Sequence, residues 1–280
     1  MTTTPEPAGI ITSLANPRVK AVVRLRDRRA REQAGLTLVD GARELLRGLA
    51  AGVTVHEGFV CDDLLHSADG HEAASRLRAI APTWTVTPEV FAKVSFGDRA
   101  EGVLAVIAIP GTSLESLHLA PDPLIVVAED VEKPGNLGAI LRSADGAGAD
   151  AVIAASPRTD LFNPNAIRAS LGTIFAVPLA AAPADVVLAW LRNRGIRIVA
   201  ARVDGSALVT DTDLTGALAI AVGAEAEGLT ERWAAHDIPG VRLPMLGVAD
   251  SLNVSAASAV LLYEARRQRG LPSPAPRRTR

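Results

Sequence analysis

Four apolar stretches, Leu124 to Ala128, Ala151 to Ala154, Ile196 to Ala200 and Leu218 to Val222, alternate with helical patterns at about 137–148, 163–171, 184–194 and 253–269. A strand that is apolar on both faces is buried on both faces. Strands of that kind separated by helices predict an α/β domain built on a parallel sheet with helices covering it. In such a sheet ligands bind outside the carboxyl ends of the strands, so the strand-to-helix turns are where chemistry is expected.

Upstream, a smaller α/β unit is predicted. A basic helix follows Asn16-Pro17 and runs to about Gln33, with Gly35 ending it. A strand at 36–39, a helix at 42–51, a strand at 53–60, a helix at 72–81, a strand near Trp84 and an apolar run at 103–109 continue the alternation. The stretch 110–123 holds three prolines and a glycine and reads as a linker. The expected division is therefore an N-terminal domain over 1–112 and a second domain over 122–280. No internal repeat is visible, and the Pro-, Thr-, Ser- and Arg-rich ends, 1–9 and 271–280, read as tails.

With 48% hydrophobic residues in 280, the chain can bury a full core. Its single cysteine, Cys61, excludes an internal disulfide and a multi-cysteine metal site, which fits a reducing, cytoplasmic setting. The start lacks the pattern of a secretory signal, and no apolar run reaches the ~18 residues of a membrane span. Aromatic residues make up only 3%, too few for a binding surface that stacks many bases. The net charge of -2 hides an uneven distribution: nine basic residues against four acids from Arg18 to Arg47, and six arginines with no acid from Ala265 to Arg280. Two basic segments on an acidic body suggest local phosphate contacts, although a solvated helix face and a frayed tail look the same in sequence.

Three turns of the second domain are unusual. The first, after Leu124 to Ala128, reads Glu129-Asp-Val-Glu-Lys-Pro-Gly-Asn-Leu-Gly-Ala-Ile-Leu-Arg142. Pro134-Gly135 makes a turn, Asn136 can cap the next helix, and Arg142 lies within it. The second, Gly223-Ala-Glu-Ala-Glu-Gly-Leu229, combines glycines that admit a close backbone approach with an acceptor at Glu225. It has no P-loop ending, and no G-x-G-x-x-G follows any predicted strand. The third, Leu243-Pro-Met-Leu-Gly-Val-Ala-Asp-Ser-Leu-Asn253, places Ser251, Asn253 and Ser255 at a helix start beside an apolar loop, a mixture suited to a ligand with an adenine, a ribose and a sulfonium. Read alone, the first and third are equally well capped surface helices. The five histidines show no metal-ligand spacing.

Together the three segments, in order and at their spacing, resemble the SpoU/TrmH family of RNA 2′-O-ribose methyltransferases of the SPOUT class, over about 122–269. The stretch Asn163-Pro-Asn-Ala-Ile-Arg-Ala-Ser-Leu-Gly172 is similar to the family's intervening segment, with Arg168 and Ser170 in their usual places. Residues 12–109, especially Ser13-Leu-Ala-Asn-Pro-Arg-Val-Lys20 and Leu36-Thr-Leu-Val-Asp-Gly-Ala-Arg43, more loosely resemble the ribosomal-protein-like substrate-binding domain of rRNA-modifying members. The chain departs from the family in having Lys133-Pro134 for the frequent Asp-Pro and Asp40-Gly41 for Glu-Gly.

The resemblance implies a SPOUT domain with a deep trefoil knot after Gly223, and S-adenosylmethionine, without a metal, against Gly223, Leu243, Met245, Leu252 and Asn253. It also implies active-site roles for Asn136, Arg142, Glu225, Ser251 and Asn253, a homodimer with Arg142 near the subunit interface, and RNA, ribosomal for choice, as substrate. It makes Arg142 the group that activates the ribose hydroxyl. A guanidinium, with a pKa above about 12, is better suited to stabilising a developing alkoxide or clamping a phosphate than to taking a proton. The alternatives are a SPOUT enzyme that methylates a base nitrogen and a non-catalytic RNA-binding or ribosome-assembly protein.

Overall fold

The structure, a computed structural model, describes residues 8–96, 100–224, 227–235 and 237–270. It divides into two compact units, Met1–Gly111 with Asp160–Ala176, and Thr112–Thr159 with Val177–Arg280.

The first unit runs β1 (Ile10–Ile11), α1 (Pro17–Arg24), α2 (Arg28–Ala34), β2 (Leu36–Asp40), α3 (Ala42–Ala50), β3 (Val55–Val60), α4 (Ala68–Ile80), β4 (Thr83–Val86), α5 (Pro88–Val94) and β5 (Val103–Ala108). Among the described residues its sheet has the order β1-β4-β3-β5-β2, with β1, β4 and β3 parallel and β5 antiparallel to both β3 and β2. Leu38, Phe59, Phe91 and Leu104 fill the core on one side, with Val19 and Val22 of α1 packed among them. The single basic helix expected over 17–33 is two helices. Asp27 turns out of the first and caps the second, its carboxylate accepting from the Ala30 N–H, and Gly35 ends α2 at φ 64°. Helix α4 starts four residues before its expected position because Ser67 caps it, its hydroxyl accepting from the Gly70 N–H.

The second unit contains β6 (Leu124–Glu129), α6 (Pro134–Ala147), β7 (Ala151–Ala155), then, past α7 (Pro164–Ala169) of the first unit, β8 (Leu179–Ala182), α8 (Ala184–Asn193), β9 (Arg197–Ala201), β10 (Ala207–Leu208), β11 (Leu218–Val222), β12 (Gly240–Arg242) and α9 (Val254–Arg269). The sheet order is β10-β12-β9-β11-β6-β7-β8, and every described pairing is parallel. One face of the sheet packs on α8, where Val187, Trp190 and Leu191 meet Ile125, Ile153 and Ile198. On the other, α6 and α9 pack together. Arg266 of α9 donates to the carbonyls of Ala147 and Gly148, closing the end of α6. Arg269 donates to Leu214, Asp122, Pro123 and Gly216, and burial holds its pKa below the usual arginine value. Arg266 and Arg269 are thus engaged with backbone carbonyls, while Arg267 pairs with Glu264 and stays exposed. Of the stretch read as a linker, Leu114 and Leu117 are buried in the second unit's core.

The segment 160–176 departs most from the sequence reading, which kept it with the second domain. Asp160 pairs with Arg31 at 2.6 Å, and Arg31, fully buried, also donates to the carbonyls of Leu25 and Arg26. Thr37 donates to the Phe162 carbonyl, Arg168 pairs with buried Asp40 at 3.2 Å, and Arg47 donates to the Leu171 carbonyl. Gly172, at φ 78°, lies where a Cβ would come within 2.9 Å of the Glu44 Cα. These polar and ionic contacts, added to the apolar contact of Phe175 with Gly48, tie the segment to the first unit, and the periodicity of apolar residues carries no record of them.

Candidate active site

Strands β6 and β11 lie side by side in register, Val222 opposite Ala128, so their following turns emerge together at the carboxyl edge of the sheet. Leaving β6, Asp130 adopts φ 51° and donates its N–H to the Ala155 carbonyl, which turns the chain sharply toward α6. Pro134 occupies the first turn of that helix, and Lys133 precedes it without a side-chain cap. Asn136, expected to cap α6, instead sits inside its first turn. Its Oδ1 accepts from Asn253 Nδ2 at 3.3 Å. Asn253 is the N-cap of α9: its Oδ1 accepts from the Ser255 N–H and hydroxyl at 2.9 and 2.6 Å, which leaves the Nδ2 side for Asn136. The first and third motifs, more than a hundred residues apart in sequence, are therefore joined through two side-chain amides.

The second motif is held to the first by a residue the sequence reading passed over. Glu129, buried at the end of β6, accepts from the Thr230 N–H and hydroxyl, both at 2.8 Å, with Arg232 3.7 Å away. Arg158, from the turn after β7, reaches Glu132 at 2.6 Å and both Asp130 and Glu227 at 3.7 Å. The hydrogen bond to Glu132, reinforced by Asp130, raises the Arg158 pKa and keeps it a fixed cation between two turns. A carboxylate closing an otherwise apolar strand was the available signal for Glu129, since a buried carboxylate requires donors.

Gly223 follows β11 directly, and a Cβ there would run into the backbone of Gly228 and Leu229. Ala224 and Gly228 exchange backbone hydrogen bonds of 3.1 and 3.0 Å, so this turn folds tightly on itself. Glu225 lies outside the described residues. Leu243 and Met245 are half-buried, whereas Ser251 and Leu252 are exposed, as are Leu246 and Val248. From 243 to 253 the loop carries one charged side chain, Asp250, amid apolar groups, the Ser251 hydroxyl and the helix-capping amide of Asn253. That donor set fits a ligand combining a flat heterocycle with a sulfonium, because it offers apolar contact, hydrogen bonds and no competing cation.

Arg142 is not brought to the Asn136–Asn253 bridge within one chain. Six residues along an α-helix amount to a rotation of about 240° and a rise of about 9 Å. Its side chain is exposed, and it forms no hydrogen bond or ion pair with any described residue. Among the described residues no group of three or more His, Cys, Asp or Glu is arranged to hold a metal, and no helix is long and apolar enough to cross a membrane.

Comparison with known proteins decides the family. The model of the SpoU rRNA Methylase family matches residues 123–263, half of the chain, and that of the MRM3-like substrate binding domain matches 16–105. The chain belongs to the SpoU rRNA methylase family. Among its SpoU relatives is the 23S rRNA (uridine(2479)-2′-O)-methyltransferase of Streptomyces viridochromogenes, 32% identical over 88% of this chain and 87% of the relative. A crystal structure of an RNA 2′-O ribose methyltransferase is similar with TM-score 0.81 and 42% identity, covering 93% of this chain and 98% of that one. The AdoMet-bound rRNA methyltransferase of Sinorhizobium meliloti is similar with TM-score 0.84 and 28% identity, covering 94% and 98%.

Proposed function

We propose that this SpoU protein transfers the methyl group of S-adenosylmethionine to a ribose 2′-hydroxyl of ribosomal RNA, as a cytoplasmic homodimer. The observation that carries the reading is the Asn136–Asn253 bridge, which draws the first and third motifs together. Family membership, the names of the relatives and the cofactor in the Sinorhizobium meliloti structure support the same chemistry.

The cofactor supplies a methyl group already activated on a sulfonium, so the protein's task is alignment, exclusion of water and charge stabilisation. Gly223, Leu243, Met245 and Leu252, with Asn253, are the residues that would hold it. Asn136 and Asn253 orient the ribose through their amides, with Ser251 on the adjoining loop, and Glu225 completes the hydrogen-bond set. Arg142, turned away from the bridge, acts across a subunit interface formed by α6 and α9, where Val260 and Tyr263 leave apolar surface exposed. There its guanidinium stabilises the oxygen that loses its proton, or an adjacent phosphate. The family's knot, formed as the chain after Gly223 threads a loop, belongs to this reading.

Incubation with methyl-labelled cofactor and ribosomal RNA, followed by mapping of the product, is the test. A labelled ribose is expected; a label on a base, or none, overturns the assignment. Arg142→Ala is expected to abolish transfer while S-adenosylhomocysteine still binds in calorimetry, and unchanged turnover would remove Arg142 from the mechanism.

A further inference from the structure

The first unit holds a cavity of about 320 Å³ that the methyl-transfer site does not use. It opens outside the carboxyl ends of β2 and β3, the position at which α/β folds bind ligands. Its wall combines Arg43 and Glu44 from the first turn of α3, Leu64 and His66 from the turn after β3, Glu101 ahead of β5, and Leu171. The volume is at the low end for small-molecule sites. It suits a nucleobase with its sugar rather than a stretch of protein chain.

The acceptors in this cavity are not equivalent. Glu101 already accepts from the Ala42 N–H at 2.9 Å, and so caps α3 in place of Gly41, which has no side chain to do so. Glu44 is 8% exposed, and its carboxylate fills the space where a Cβ on Gly41 would stand. Apart from its own backbone N–H, no described residue donates to it. Burial, with Glu101 adding, raises its pKa above the usual carboxylate value. A carboxylate that is desolvated, faces a cavity and has only its own backbone N–H as donor keeps acceptor capacity that a ligand's donors can use. Arg43 stands exposed at the rim, placed for a phosphate.

We propose that this cavity seats an unpaired guanine of the RNA substrate, with Glu44 accepting from guanine N1–H and N2–H and Arg43 contacting the neighbouring phosphate. Among the four RNA bases only guanine presents two adjacent N–H donors on its Watson–Crick edge, the pattern that one carboxylate accepts with both oxygens. The proposal rests on RNA being the substrate. It adds a recognition site in the first unit, separate from the residues assigned to methyl transfer.

The test measures fluorescence anisotropy of the full chain with three labelled RNA decamers, uridine throughout except for one central guanosine, inosine or adenosine. The guanosine decamer is expected to bind at least tenfold more tightly than the inosine decamer, which lacks the N2 amino group, and than the adenosine decamer. Glu44→Gln should erase the preference, because a carboxamide meets one guanine donor with its own N–H. The same variant should melt at a higher temperature, since a desolvated charge is removed, and this shows that the fold is intact. Arg43→Ala should weaken all three decamers by a similar factor while keeping the order. Equal affinity for the three decamers, or a guanosine preference that survives Glu44→Gln, overturns the guanine site. Either result leaves methyl transfer to ribosomal RNA, assayed separately, untouched.

Discussion

Asn253 performs two tasks with one amide, capping α9 through its oxygen and donating to Asn136 through its nitrogen. Asn253→Asp keeps the acceptor and deletes the donor. It is expected to hold stability within about 1 kcal/mol, since an aspartate caps as well as an asparagine, while methyl incorporation falls at least tenfold; melting curves and a labelled-cofactor assay measure the two effects separately. The titrating carboxylates also set a pH dependence. Burial raises the pKa of Asp40 despite the Phe96 N–H and Arg168, and raises that of Glu44, so folded protein binds more protons than unfolded protein above the ordinary carboxylate range. Stability contributed by these two groups is present below that range and is lost as pH rises through their raised values. Glu264 acts oppositely: hydrogen bonds from Arg267 and Gln268 lower its pKa to about 2, so its contribution is lost as pH falls from the ordinary value toward about 2. The melting temperature is therefore expected to be higher near pH 5 than near pH 8, and the difference should shrink in Glu44→Gln. Asparagines at turns were legible in the sequence as candidates. Their pairing was not, because Asn136 was read as a cap and a cap has no reason to reach another helix.

At the scale of elements, the alternation of apolar strands and helices was readable because each buried strand of the second sheet is apolar on both faces. Strands β8, β10 and β12 were missed. Leu179–Ala182 is leucine followed by three alanines, Ala207–Leu208 is two residues long and Gly240–Arg242 three, so none offers a pattern from which burial can be read. The N-terminal basic stretch shows why charge counts mislead. Of its nine basic residues, Arg31 is buried against Asp160, Arg18 lies 4.4 Å over the Trp84 ring and pairs with Glu57, and Arg26 donates to the Lys93 and Ser95 carbonyls. Lys20, Arg24 and Arg29 are exposed and have no ion pair with any described residue. Replacing these three by alanine should weaken RNA binding and reduce the slope of log affinity against log salt by about 2 to 3, with melting unchanged. Arg31→Ala should instead destabilise the protein by about 3 kcal/mol or more, because Asp160 loses its buried partner. Denaturant unfolding reads that loss.

The molecule as a whole is not two beads joined in sequence order. Its chain leaves the first unit after Gly111, builds β6, α6 and β7, returns for residues 160–176, and departs again. A fragment ending at residue 111 would lack the partners of Arg31, Thr37 and Asp40. It is expected to melt well below the full chain and to regain stability when a synthetic peptide spanning 160–176 is added, which circular dichroism can follow. The charge pattern gave no hint of this return, since Asp160 and Arg168 look like ordinary surface residues until their partners are located.

The docked stretch 160–176 also limits how such a protein can be rebuilt. Exchanging the leading 111 residues for those of a relative would set foreign side chains against a resident Asp160, Phe162 and Arg168, so a workable graft must carry both pieces of sequence at once. Lineages that acquire a new recognition module by recombination would need three crossovers rather than one, and a protease nick near Gly111 would leave the severed module still in place.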